Sequence, residues 1–223
     1  MVSFIVLLIC YTASLLFFLN EVRKPDYKKT YLVRKTIQSL AFLAVLVLSW
    51  RICGQTFLFL QLLPAFLCCL IGDVLLALYN KFRKKRMFAT GLCVFLAGHL
   101  FFLHRMSSMQ TFAWTDLIFP ACGVVIAAVM TGSKSFHTGR LRPCILIYTF
   151  FVSALFAKSV HVAWSMPDAF HVTAALGCLL FFVSDFSILF LYFYKTRDIR
   201  IHLFNLASYY MGMFFLASCM LFA

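Results

Sequence analysis

The feature that most constrains this chain is a succession of apolar runs, each near the length a helix needs to cross a bilayer, with only short polar connections between them. They fall at roughly 2–20, 33–50, 56–79, 88–104, 114–131, 143–161, 168–194 and 203–222. Backbone polar groups in lipid must be satisfied within the segment, so these runs predict about eight α-helical spans. The expected fold class is all-α, a polytopic transmembrane helical bundle. Almost nothing remains for an extramembrane domain, so residues 1–223 are expected to form a single integral membrane domain. Composition agrees: 64% hydrophobic and 12% charged residues exclude a soluble globular chain.

The formal charge of +13 does not describe a nucleic-acid surface, because the 20 Lys and Arg sit in the connections rather than on one continuous face. Arg23, Lys24, Lys28, Lys29, Arg34 and Lys35 lie between the first two runs, and Lys81, Arg83, Lys84, Lys85 and Arg86 follow the third. Lys134, Arg140 and Arg142 separate runs five and six, and Lys195, Arg197 and Arg200 separate seven and eight. Only Arg51, Arg105 and Lys158 belong to the other side. The positive-inside rule then places the odd connections in the cytoplasm and both termini outside it, in the plasma membrane if the cell is bacterial. The expected surroundings are lipid bilayer with anionic headgroups, and no nucleic acid. Residues Met1 to Leu19 lack a basic leader region and read as a retained first span. Nine cysteines show no CxxC pair and no zinc-like spacing, so neither a metal nor another cofactor is expected.

Of seven acidic residues, five lie in or beside connections, whereas Asp73 and Asp185 do not. At 1.5 Å per residue each sits roughly 10 to 15 Å inside the basic boundary. An ionisable group at that depth must face a bundle interior or a wet cavity, which makes both candidates for catalysis; the alternative is a polar staple between helices with partners such as Ser184. Two nearby carboxyls in low dielectric should not both ionise readily, and would offer a general acid beside a carboxylate. Gly91, Phe95 and His99 share one helical face, and Asn205 and Tyr209 share another. His99, Ser184, Asn205 and Tyr209 are candidate substrate-binding or supporting residues, with a structural histidine and an interfacial tyrosine as the alternatives at His99 and Tyr209. Lys35, at the start of the second run, can meet a phosphate, pair with an aspartate, or snorkel. Lys158 and His161 read as anchoring residues.

The halves also echo each other. In each, the third run carries a small residue and then aspartate, Gly72-Asp73 and Ser184-Asp185, and the next run carries His99 or Tyr209 at a similar interval. Two parallel four-helix repeats would produce this pattern.

Gly72-Asp73, the basic turn, Gly91 to His99, Ser184-Asp185 and Tyr209-Tyr210 occur in an order that resembles the YhhN-like lysoplasmalogenase family over roughly residues 30 to 215. The chain departs from the family pattern at Thr36, where proline is frequent, and at Met213, where a polar residue is frequent. The resemblance implies an integral membrane hydrolase acting on the vinyl-ether bond of lysoplasmalogens, a lysophospholipid substrate, and release of a fatty aldehyde and a glycerophospho-base. It implies Asp73 and Asp185 as the acids, Lys35 as a matching lysine, and no cofactor. A small-molecule or proton-coupled lipid transporter and a non-enzymatic lipid-binding protein are the alternatives read from the residues.

Overall fold

The computed structural model describes residues 2–196 and 198–223; Met1 and Arg197 lie outside the described residues, as does the side chain of Lys85. Eight α-helices follow one another: α1 (Val2–Val22), α2 (Tyr27–Cys53), α3 (Thr56–Phe82), α4 (Lys85–Ser107), α5 (Thr115–Gly132), α6 (Arg142–Ser165), α7 (Ala169–Ile188) and α8 (Ile199–Ser218). All eight spans are long and apolar enough to cross a membrane. Among the described residues no strand forms beyond one isolated bridge, Phe136 to Tyr194. The chain is an all-helical, multi-pass membrane protein.

Helix ends differ from the apolar boundaries where the polar turns themselves are helical. α2 begins at Tyr27 rather than near residue 33, so Lys35 lies two turns inside it instead of at its mouth. The seventh span closes with a π-helical turn, Leu189–Phe193, and α8 starts at Ile199, one turn before the apolar run. The backbone beyond that π turn is satisfied by the α5–α6 connection: His137 N–H donates to Phe193 O at 2.8 Å and Lys195 N–H to Ser135 O at 3.1 Å. Gly54, at φ 71°, ends α2 in the left-handed conformation that glycine adopts without a Cβ penalty. Arg83 ends α3 in the same conformation, at φ 57°, where a side chain is uncommon.

The packing repeats across the halves. In each half the second helix packs on the third and the third on the fourth, α2–α3–α4 and α6–α7–α8. The fourth helix of each half then reaches the second of the other, through α4–α6 and α8–α2. The first helices, α1 and α5, are peripheral: 17% of each span is buried, against 67% of the eighth span. Large apolar side chains such as Ile9 and Val129 therefore face outward, where lipid replaces protein as their solvent.

Backbones meet most closely between α7 and α8. A Cβ on Gly177 would stand 2.9 Å from Leu216 N, and one on Gly212 would stand 2.9 Å from Gly177 O. Small residues are the usual means of close helix approach in membranes, where no hydrophobic force draws helices together. Pro64 and Pro120 both lie inside continuous helices, α3 and α5. Peripheral α5 is tied to α6 by ions: Lys158 Nζ lies 2.8 Å from Asp116 Oδ2, and His161 Nδ1 lies 3.0 Å from Asp116 Oδ1. That cluster accounts for Lys158 and His161 as anchors of the fifth span.

Candidate functional site

Asp73 is 1% exposed and belongs to a polar cluster built by α2, α3 and α8. Its Oδ1 lies 2.9 Å from Lys35 Nζ. Its Oδ2 accepts from Ser39 Oγ at 2.7 Å and from Tyr209 OH at 2.8 Å. Lys35 and Ser39 are one turn apart on α2, so both reach the same carboxyl. Behind them Tyr210 OH donates to Lys35 O at 3.2 Å, and Tyr11 OH of α1 donates to Tyr210 O at 3.0 Å. Lys35 thus neither snorkels nor waits at a boundary; its ammonium is buried against Asp73. In a low-dielectric setting this pair is held by Coulomb attraction and by the hydroxyls that complete the carboxylate.

Asp185 belongs to a second cluster, built by α4, α6 and α7. His99 Nε2 lies 2.8 Å from Asp185 Oδ2, and Tyr148 OH donates to the same oxygen at 3.1 Å. His99 Nδ1 lies 2.8 Å from Phe95 O, and since a carbonyl only accepts, that nitrogen carries a hydrogen. At 2.8 Å, a proton carried by either His99 Nε2 or Asp185 Oδ2 would lie within reach of the other. The contact is bent away from the ring's N–H direction, which leaves Nε2 without a straight hydrogen bond. Nearby rings enclose it: Phe181 at 4.4 Å and Tyr148 at 5.4 Å between centroids.

The two carboxyls share no hydrogen-bonding partner among the described residues. Each has its own cation or imidazole and its own tyrosine, which replaces the expected mutual carboxyl pair with two separately completed acids. Aromatic rings link the clusters, because Tyr209 packs against Phe181 at 5.4 Å and against Phe95 at 5.9 Å. Phe95 fits beside α3 because Gly72 has no side chain; a Cβ there would come within 2.7 Å of its ring. Ser184 and Asn205 lie elsewhere. Asn205 Nδ2 donates to Ser184 O at 2.8 Å and to Ser187 Oγ at 2.9 Å, and Ser184 Oγ donates to Asn205 O at 3.2 Å. They pin α7 to α8 and bond neither carboxyl.

Two openings lead toward these clusters. An apolar cleft of about 40 Å³ has Asp185 and Tyr148 on its wall among Leu92, Ile145, Val152 and Phe182. It is large enough to hold water. A basic pocket of about 200 Å³ lies beyond the Asp73 cluster, at the ends of α2 and α3 and the start of α8. Its floor includes Tyr31 and His202, whose OH and Nε2 are 3.1 Å apart; Lys35 and Asp73 lie one turn below.

Ser39, Tyr148 and Tyr210 were not singled out from the sequence as site residues. Signals for two of them were present: Ser39 shares the face of Lys35, and Tyr148 precedes Asp185 by nearly the interval at which Lys35 precedes Asp73. Among the described residues no three His, Cys, Asp or Glu side chains are grouped to hold a metal ion.

A protein-family model described as the YhhN family matches residues 30–220. No curated protein and no solved structure matches the chain.

Proposed function

Because the chain belongs to the YhhN family, we propose that it is an intramembrane lysoplasmalogenase that hydrolyses the vinyl-ether bond of lysoplasmalogens to a fatty aldehyde and a glycerophospho-base. The observation that carries this reading is the 2.8 Å contact of His99 with Asp185 at the wall of an apolar cleft. A vinyl ether needs an acid at its double bond and water afterwards, and no nucleophile or metal.

In this reading the ether end of the alkenyl chain enters the cleft, and the rest of the chain lies in the lipid outside it. The pair delivers its proton to the alkene carbon remote from oxygen, forming a carbon–hydrogen bond and an oxocarbenium ion at the other carbon. Water adds to that carbon and returns a proton to Asp185 or His99. The resulting hemiacetal breaks its bond to the glycerol oxygen, giving aldehyde and alcohol. Tyr148 positions Asp185 through its hydrogen bond. Asp73, paired with Lys35, holds Tyr209 in the same core.

The test is incubation of purified protein with a lysoplasmalogen and, separately, with its acyl analogue. Aldehyde from the first and no fatty acid from the second is the expected result. Fatty acid release, or no product from either, overturns the reading.

A further inference from the structure

The basic pocket is used by neither acid, yet it is the larger opening and carries both signs of charge. Lys28 comes from the first turn of α2, Lys81 and Arg83 from the end of α3, and Asp198 from the start of α8. The chain turns at Arg83 in the left-handed conformation, with its N–H bonded to Tyr79 O at 2.7 Å. The Arg83 guanidinium lies 5.9 Å from the centre of the Tyr79 ring. Asp198 is held in place because its Oδ1 accepts the Arg200 N–H at 2.8 Å, which leaves the second oxygen for another partner. Three cations and one fixed carboxylate around one cavity match a ligand with an anion and a cation of its own.

We propose that this pocket is the headgroup site of the lipid and that it reads a zwitterion. Lys28, Lys81 and Arg83 hold the phosphodiester, while Asp198, which lines the same pocket as Tyr27, holds the ammonium of the base. The proposal rests on the lysolipid-hydrolase reading. Position supports it, because the two openings flank one short element: Leu191 and Tyr192 of the π turn line the basic pocket, whereas Leu189 and Phe193 line the apolar cleft. A single-chain lipid lying across that turn places its headgroup among the cations and its ether bond toward Asp185. A phosphate ester without a base leaves Asp198 facing an anion, and like charges within one pocket disfavour it.

Saturated alkyl-ether lysolipids lack the double bond that an acid must protonate, so they separate binding from turnover. Affinity is measured for purified protein in neutral detergent with alkyl-glycerophosphocholine, alkyl-glycerophosphate and alkylglycerol, and inorganic phosphate is added as competitor. The phosphocholine should bind best and alkylglycerol worst. Lys81→Gln with Arg83→Gln should erase the advantage of both phosphate lipids over alkylglycerol. Asp198→Asn keeps a good helix cap, and should weaken the phosphocholine about fivefold while leaving the phosphate unchanged or tighter. Circular dichroism and thermal unfolding confirm that each variant is folded.

Equal binding of all three lipids by the wild type, a ranking that survives the substitutions, or displacement of lipid by inorganic phosphate at equal concentration overturns the proposal. Aldehyde release from lysoplasmalogen is assayed in the same preparation. Aldehyde without headgroup ranking removes the pocket and leaves the hydrolase; ranking without aldehyde removes the hydrolase and leaves a headgroup site.

Discussion

Asp73 and Asp185 occupy matching places in the two halves of the chain, one facing an ammonium and the other an imidazole. Each lies on the third helix of its half. Each takes one partner from the second helix of the same half, Lys35 or Tyr148, and one from the fourth helix of the opposite half, Tyr209 or His99. The shared plan ties the halves together reciprocally, as an interlocked duplication would. The difference lies in what can move. The ammonium of Lys35 offers donors alone, whereas each nitrogen of the His99 imidazole is able to donate or accept. Asp73 is enclosed by donors, and Asp185 reaches a cleft. One arrangement suits holding charge and the other suits transferring a proton.

That contrast is sharpest in turnover. Asp185→Asn keeps the shape of the side chain and a hydrogen-bonding partner for His99, so the protein should fold normally while aldehyde release falls roughly 100-fold to 10,000-fold. A variant retaining most of its rate would return Asp185 to a packing role.

At the other acid the expected loss is stability. Asp73→Asn or Lys35→Met leaves one buried group without its counter-charge and should cost about 3–5 kcal/mol, read by thermal unfolding in detergent. The double change Lys35→Met with Asp73→Asn should recover much of that stability, because no charge remains buried. Equal losses in single and double variants would show that the ion pair is not what matters there.

The tyrosines offer a finer version of the comparison. Tyr148→Phe and Tyr209→Phe each remove one hydrogen bond to a carboxyl, an effect of roughly 1.5–3 kcal/mol where the acceptor is charged. Tyr148→Phe should appear mainly in the rate. Tyr209→Phe should appear mainly in unfolding, although Ser39 still serves the same oxygen of Asp73. Reversal of the two readouts would exchange the roles assigned to the two sites.

The smallest expected effect is at the end of α7 opposite to Asp185, where Asp168 caps the helix by accepting the His171 N–H at 2.9 Å. Asp168→Ala should cost about 1 kcal/mol without altering the rate of aldehyde release. A large loss of activity would mean that the position of α7 is set from that end rather than by its seam with α8.

How much of this was legible beforehand follows from the range of each signal. Span number depends on apolar length, a local quantity, and eight runs became eight helices. Burial of Asp73 and Asp185 followed from their distance to the nearest basic connection. The start of α2 did not, because a polar turn such as Tyr27 to Leu32 is as free to be helical as to be a loop when no lipid boundary decides it. Ser184 stood next to Asp185 in sequence and yet faces α8, since neighbouring residues on a helix point about 100° apart.

The chain's order of residues determined the spans, the depth of the two acids, the basic ends and the repeat of small residue and aspartate, because each depends on separation along one helix. Tertiary structure alone decided the partners. Lys35 meets Asp73 across two helices, and His99 of the first half meets Asp185 of the second, contacts that depend on which faces the bundle turns inward. The sequence limits a buried acid to having some partner; only the packing of α2, α4, α6 and α8 around α3 and α7 settled that one acid received an ammonium and the other an imidazole.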